Sequence, residues 1–138
     1  MSLLTSNQIT LKVSSVLNKD VKQFGKQFLL DGKEDTCWNS DQGSVQWIDC
    51  LLDRECRLRS ISIEFQGGFA AKQMTFEFSD SGDQLLTRCV KYGKDCNDLQ
   101  TFDDLPDCRV KCLRIVFNEF YDLFGRIVIY RLKLLADE

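Results

Sequence analysis

Alternation at a period of two governs the second half of this chain. Ile61, Ile63 and Phe65 fall on one side and Ser60, Ser62 and Glu64 on the other, the pattern of a strand with one face in a core and one in water. The pattern returns in residues 74–79, 113–117 and 128–134, and in the last of these Arg131 and Lys133 face outward. Residues 47–52 and 85–92 are further strand candidates, and turn-forming clusters at 39–43, 66–68, 79–83 and 92–98 separate the runs. Several short strands with such punctuation, and no long helix after them, predict an all-β protein: an antiparallel jelly-roll β-sandwich.

One stretch departs from that period. Leu17, Val21, Phe24 and Phe28 stand at helical spacing through residues 18–30. Gly25 in its middle loses about 1 kcal/mol relative to alanine in a helix interior, so a turn or a short helical segment is expected there. With 138 residues, a single proline and 43% apolar side chains, the chain suits one domain over residues 1–138. The nine residues before Thr10 are expected to be mobile, and the last two to fray.

Composition removes several kinds of chemistry. Eighteen basic residues against 21 acidic ones leave a net charge of −3, no surplus for a phosphate backbone or an anionic membrane. The absence of histidine removes the commonest general base and every imidazole-paired nucleophile. Phosphate-loop, dinucleotide and nucleophile-elbow motifs are also absent. No enzyme, nucleic-acid partner or membrane partner is expected. No apolar run reaches about 18 residues, and the chain turns polar straight after Leu4, so neither an anchor nor a signal peptide is expected. The seven cysteines are odd in number and form no C-x-x-C pair, which favours reduced thiols inside a cell over a disulfide framework. A four-cysteine zinc site is the alternative, if the fold brings Cys108 and Cys112 to Cys50 and Cys56.

The segments Val13-Ser14-Ser15-Val16-Leu17-Asn18, Leu30-Asp31-Gly32, Asp35-Thr36-Cys37-Trp38-Asn39-Ser40 and Gln46-Trp47-Ile48 follow one another in an order that resembles the discoidin, or coagulation-factor type C, family. The resemblance runs through residues 10–136, and its most specific piece is Asp-Gly followed by Thr-x-Trp-x-Ser. It implies a galactose-binding-like jelly roll that binds without catalysis, through the loops at one end. Segments 13–18, 23–26, 36–43, 65–69 and 124–130 resemble an intracellular branch of that family. That likeness implies a protein partner, an orphan nuclear receptor, with repression of transactivation and a location in the nucleus rather than in the cytoplasm alone. Secreted members tie their ends with a disulfide; this chain has no cysteine before Cys37 or after Cys112.

The resemblance also implies a structural calcium at Asp31 and Thr36, with backbone oxygens of Phe28 and Lys33. The other reading of Asp31 is a turn cap, with Gly32 at positive φ. No cofactor is required on either reading. Trp38 and Trp47 are read as core in preference to a sugar-stacking platform. Candidate binding residues on the end loops are Asn39, Asp41, Gln42, Gln66, Phe69, Tyr121, Phe124 and Arg126. Aromatics and arginine are the residue types that anchor interfaces, and Phe69 is expected to be exposed. Two readings stay open: Phe120 and Phe124 either contact a partner or close the core, and Arg126 pairs either Asp122 or Asp41. A glycan or small molecule in the same loops is the alternative ligand.

Overall fold

A computed structural model describes residues 1–137. Nine strands run in chain order: β1 (Ser2–Leu3), β2 (Ile9–Val13), β3 (Trp38–Asn39), β4 (Gln46–Phe65), β5 (Ala71–Ser79), β6 (Leu85–Tyr92), β7 (Leu99–Phe102), β8 (Val110–Phe120) and β9 (Val128–Asp137). Every pairing is antiparallel. One layer runs β2-β4-β8-β5-β6; in the other, β4 lies between β9 and β7, and β9 carries β1 and β3 on its far side. The fold is the expected all-β, galactose-binding-like sandwich.

β4 joins the layers. Its first half pairs β2 and β8, and its second half pairs β9 and β7. The sequence reading places separate strands at residues 47–52 and 61–65, with the charged residues Asp53, Arg54 and Glu55 between them in neither. They are the point where a 20-residue strand crosses one end of the sandwich in solvent. A register shift between Leu51 and Cys56 takes up the bend.

Period-two burial fills the space between the layers. Ile48, Cys50, Leu52, Met74, Phe76, Phe78, Leu113, Ile115 and Phe117 point in from one layer, and Ile61, Ile63, Phe65, Leu132 and Leu134 from the other, all at most 2% exposed. Each such side chain removed from water stabilises the fold by roughly 1.5–3 kcal/mol. Phe65 meets Phe117 edge-on with ring centroids 6.2 Å apart, and Phe76 meets Phe102 at 5.7 Å.

The segment with helical spacing is broken as expected. One turn of α1 (Val21–Phe24) stands between two 3-10 turns, Leu17–Lys19 and Lys26–Leu29. Asp20 caps α1 by accepting from the Gln23 N–H, and Gly25 ends it in an extended conformation. Leu29, 1% exposed, seats this arm on the core.

The first residues are paired: Ser2 and Leu3 lie beside Ala136 and Leu135, and Leu4 is 6% exposed. β2 begins at Ile9 with Ile9 and Leu11 facing inward. Trp47 corrects the expectation of two core tryptophans. Its neighbours Gln46 and Ile48 are buried, so the pleat turns Trp47 outward, half-buried, with the Arg114 guanidinium 4.6 Å from its ring centroid. Arg114 is held over it by two bonds to Asp49, at 2.6 and 2.8 Å.

Candidate functional site

The motif residues of the first half assemble into one hydrogen-bonded knot at the end of the sandwich opposite the β4 crossing. Gln46 is 2% exposed and lies at its centre. Its Oε1 accepts from the hydroxyls of Ser14, at 2.6 Å, and Ser15, at 2.9 Å. Its Nε2 donates to the carbonyls of Asp41, at 2.7 Å, and Gly125, at 3.1 Å. Trp38 Nε1 donates to the Ser15 carbonyl at 2.9 Å, and the Ser40 hydroxyl accepts from the Ile127 N–H at 2.8 Å. A buried amide must satisfy all its polar atoms or lose stability, and here the bonds go to three loops. They lock residues 14–15, 38–46 and 125–127 to one another.

Gly125 is where two of those loops touch. Its φ is +72°, and a Cβ there would stand 1.7 Å from the Gly43 carbonyl oxygen. Only glycine fits such a conformation at such a distance. Gly43 in turn donates its N–H to the Phe124 carbonyl at 3.0 Å.

On this base sits Arg126. Asp122 receives it twice through the guanidinium, both at 3.0 Å, and also accepts the N–H groups of Phe124 and Arg126. Charge-assisted bonds of this kind hold the Asp122 carboxyl below, and the guanidinium above, their ordinary pKa. Arg126 therefore pairs Asp122 and not Asp41. Its guanidinium lies 5.1 Å from the centroid of the Phe69 ring and 5.5 Å from that of Phe124, a cation between two aromatic faces.

Two depressions flank that stack. In the first, of about 190 Å³, Asn39, Gln66, Phe69 and Arg126 meet above Leu17 and Val128. Four of the eight expected binding residues thus share one cleft. In the second, of about 500 Å³, Tyr121 and Phe124 meet Lys72 and the Gly43–Ser44 loop. Asp41 and Gln42 line neither cleft; the Asp41 side chain accepts the Gln42 N–H at 3.0 Å and shapes its own loop. Phe69, expected to be exposed, is half-buried beneath Arg126. Tyr121 is half-buried and donates its hydroxyl to the Gly93 carbonyl at 2.8 Å. Phe120 packs toward the core, whereas Phe124 is 60% exposed. Leu123, which the sequence reading passes over, is 95% exposed at the tip of the same turn. A leucine between Asp122 and Gly125, in the seven residues that join β8 to β9, has no strand face to turn into, and that is the available signal.

Two of the four expected calcium ligands, Asp31 and Thr36, meet through their side chains. Asp31 accepts the Lys33 N–H at 3.0 Å and the Thr36 hydroxyl at 2.6 Å, and Gly32 has φ +73°, which is the turn-cap reading. Asp31 is the one carboxylate among the four expected ligands, and Arg131 on the closing strand is bound to Glu64. Calcium takes about six to eight oxygens, waters among them, and these four residues would supply only part of that set. Among the described residues no group of three or more His, Cys, Asp or Glu side chains converges. All seven cysteines are free thiols, and no described helix is long and apolar enough to cross a membrane.

Similar proteins place this geometry. Nuclear receptor 2C2-associated protein of Danio rerio is 43% identical over 136 residues, covering 98% of this chain and 96% of its own. That of Homo sapiens is 44% identical over 128 residues, covering 92% and 91%. The chain belongs to the nuclear receptor 2C2-associated protein family. No family model matches it. Among solved structures, the C-terminal domain of a chitobiase from Bacteroides fragilis superposes with TM-score 0.81 at 14% identity, covering 99% of this chain and 98% of that one. An F5/8 type C domain from the same organism reaches 0.77 at 17%, covering 96% and 94%. A family 32 carbohydrate-binding module from Clostridium perfringens, in complex with galactose, reaches 0.76 at 16%, covering 96% and 97%. At those identities the likeness is one of fold. Within the nuclear receptor 2C2-associated protein family, this chain keeps the discoidin-type frame that the sequence motifs implied.

Proposed function

We propose that this protein is a non-catalytic interaction module that docks on a nuclear receptor inside the cell, and in the nucleus represses its transactivation. The observation that carries the reading is the Phe69–Arg126–Phe124 stack beside exposed Leu123, on the end of a domain whose relatives are named for association with a nuclear receptor. Its loops are pre-organised by Gln46, which lowers the ordering cost of binding. Leu123 and Phe124 are apolar anchors that lose water on docking, and Arg126 and Asn39 orient the partner.

Catalysis has little support at this rim. The side chains that line its smaller cleft hold no acid–base pair, and the Ser40 hydroxyl is already bonded to Asp41 and Ile127. Seven free thiols suit a reducing compartment. The net charge of −3 gives no support to direct binding of nucleic acid or membrane.

The test is co-precipitation of the purified chain with the ligand-binding domain of a 2C2-type nuclear receptor, and a reporter assay for that receptor. Changing Phe69 and Phe124 together to alanine is expected to abolish both capture and repression. Capture that survives the double change rejects this rim.

A glycan in the 190 Å³ cleft is the second reading, favoured by one aromatic face beside Asn39, Gln66 and Arg126. A glycan array answers it: a saturable signal lost in Asn39→Ala supports the sugar, and silence across the array rejects it.

A further inference from the structure

The turn that presents Phe69 is held from outside the rim. It is closed by the Phe69 N–H, which donates to the Gln66 carbonyl at 3.0 Å. Its two central residues are Gly67 and Gly68, and Gly68 has φ +91°. Two glycines in succession give the backbone its widest choice of conformation, so the local sequence does little to fix where Phe69 stands. The closing bond also leaves the two central N–H groups unused. Both are taken by side chains of the loop between β6 and β7, 30 and 27 residues along the chain: Asn97 Oδ1 accepts the Gly67 N–H at 2.6 Å, and the Asp95 carboxylate accepts the Gly68 N–H at 2.7 Å. The second of these is charge-assisted.

That loop is itself braced. The Gln100 amide accepts the Lys94 N–H and donates to the Lys94 carbonyl, both at 2.9 Å. Gly93 donates its N–H to the Lys72 carbonyl at 3.0 Å and accepts the Tyr121 hydroxyl at 2.8 Å. A Cβ at Gly93 would stand 2.2 Å from the Ala71 carbonyl oxygen, so the loop lies close against the start of β5. Residues 93–97 thus touch both arms of the rim, the turn that carries Phe69 and the one that begins at Tyr121.

We propose that Asp95 and Asn97 are positioning residues for recognition at the rim: they fix the Gly67–Gly68 turn so that the Phe69 ring stays against the Arg126 guanidinium, 5.1 Å from it. This role deepens the docking reading and rests on it. Neither side chain lines a rim cleft, so both act through Phe69, which they order before the partner arrives. Ordering a flexible anchor in advance lowers the cost of binding.

Two variants of the full chain test it. One joins Asp95→Ala to Asn97→Ala; the other joins Asp95→Asn to Asn97→Asp, which keeps an acceptor oxygen at both positions and the same net charge. NMR of the free chain reads amide exchange at Gly67 and Gly68 and the ring shifts of Phe69, and calorimetry reads affinity for the receptor ligand-binding domain. The alanine pair is expected to speed exchange at both glycines by at least about tenfold and to weaken receptor binding by at least about fivefold. It should also move the Phe69 ring signals toward those of an unstructured chain, while exchange at Leu113 and Ile115 in the core stays as in the wild type. The swapped pair should stay within about threefold of the wild type in exchange and in affinity. Unchanged exchange at Gly67 and Gly68 in the alanine variant overturns the proposal. So does loosened exchange with unchanged receptor affinity, or a swapped pair as weak as the alanine pair. A wild-type chain that binds no receptor domain rejects the docking reading alone, because the Phe69 ring shifts still decide whether Asp95 and Asn97 place that side chain.

Discussion

The Gln46 amide nitrogen donates to the carbonyl of Gly125, 79 residues further along the chain, at 3.1 Å. That bond ties the start of the longest strand to the turn that carries Leu123, Phe124 and Arg126. The shape of the rim therefore rests on a buried amide that touches no partner.

Gln46→Ala is expected to lower stability by roughly 2–4 kcal/mol, because it strands acceptors and donors on three loops. Urea unfolding measures the loss. Receptor binding should fall with it at temperatures where the variant is still folded.

Gly125→Ala tests the close approach. An added methyl meets the Gly43 carbonyl at 1.7 Å, at a φ that disfavours side chains. A loss of more than about 2 kcal/mol is expected, whereas Gly32→Ala, with open space around it but the same sign of φ, should cost about 1 kcal/mol. Equal losses at the two sites would show that conformation alone, and not the contact, matters at Gly125.

Much of this frame was legible from side-chain period. Ile61, Ile63 and Phe65 or Met74, Phe76 and Phe78 alternate because one face of each strand is dry and the other wet. Trp47 was misplaced although the same rule applied: it stands between Gln46 and Ile48, and two buried neighbours leave it the outer face. β1 and β7 were not legible, since strands of two and four residues carry too little pattern. Asp53 to Glu55 hid the continuity of β4 because a strand that rounds the end of a sandwich in water has no reason to be apolar. At the rim, residue type is what singles out Phe69, Phe124 and Arg126 as candidates. Which of them meet depended on contacts between residues far apart in the chain, and so did the role of Gln46.

Asp122 gives the rim a pH dependence. Its folded-state pKa is held down, chiefly by the Arg126 guanidinium, so its contribution is complete above the unfolded carboxylate value of about 4 and is lost as pH falls through the folded one. Asp122→Asn should destabilise the protein at pH 7 and converge with the wild type as the solution is acidified below about pH 4. Urea midpoints across that range check it; a difference that does not change with pH would separate Asp122 from this role.

Thiol labelling tests the core. Burial pushes the Cys50 thiol far above its ordinary pKa, and Cys56 is raised for the same reason. The thiolate is the reactive form. Under native conditions, iodoacetamide should therefore spare these two, which are also closed to solvent, while half-buried Cys96 reacts, as read by peptide mass spectrometry. Early labelling of Cys50 would contradict the packing.

The central claim is that a nuclear receptor is met by the Leu123–Phe124–Arg126 turn, and an NMR footprint of the isotope-labelled chain with unlabelled receptor ligand-binding domain tests it most directly. The account predicts that the largest shifts and line broadening fall on residues 66–69 and 121–126, and that Leu123→Asp weakens binding by at least about tenfold. A footprint centred elsewhere on the sandwich, with binding unchanged in Leu123→Asp, would contradict it.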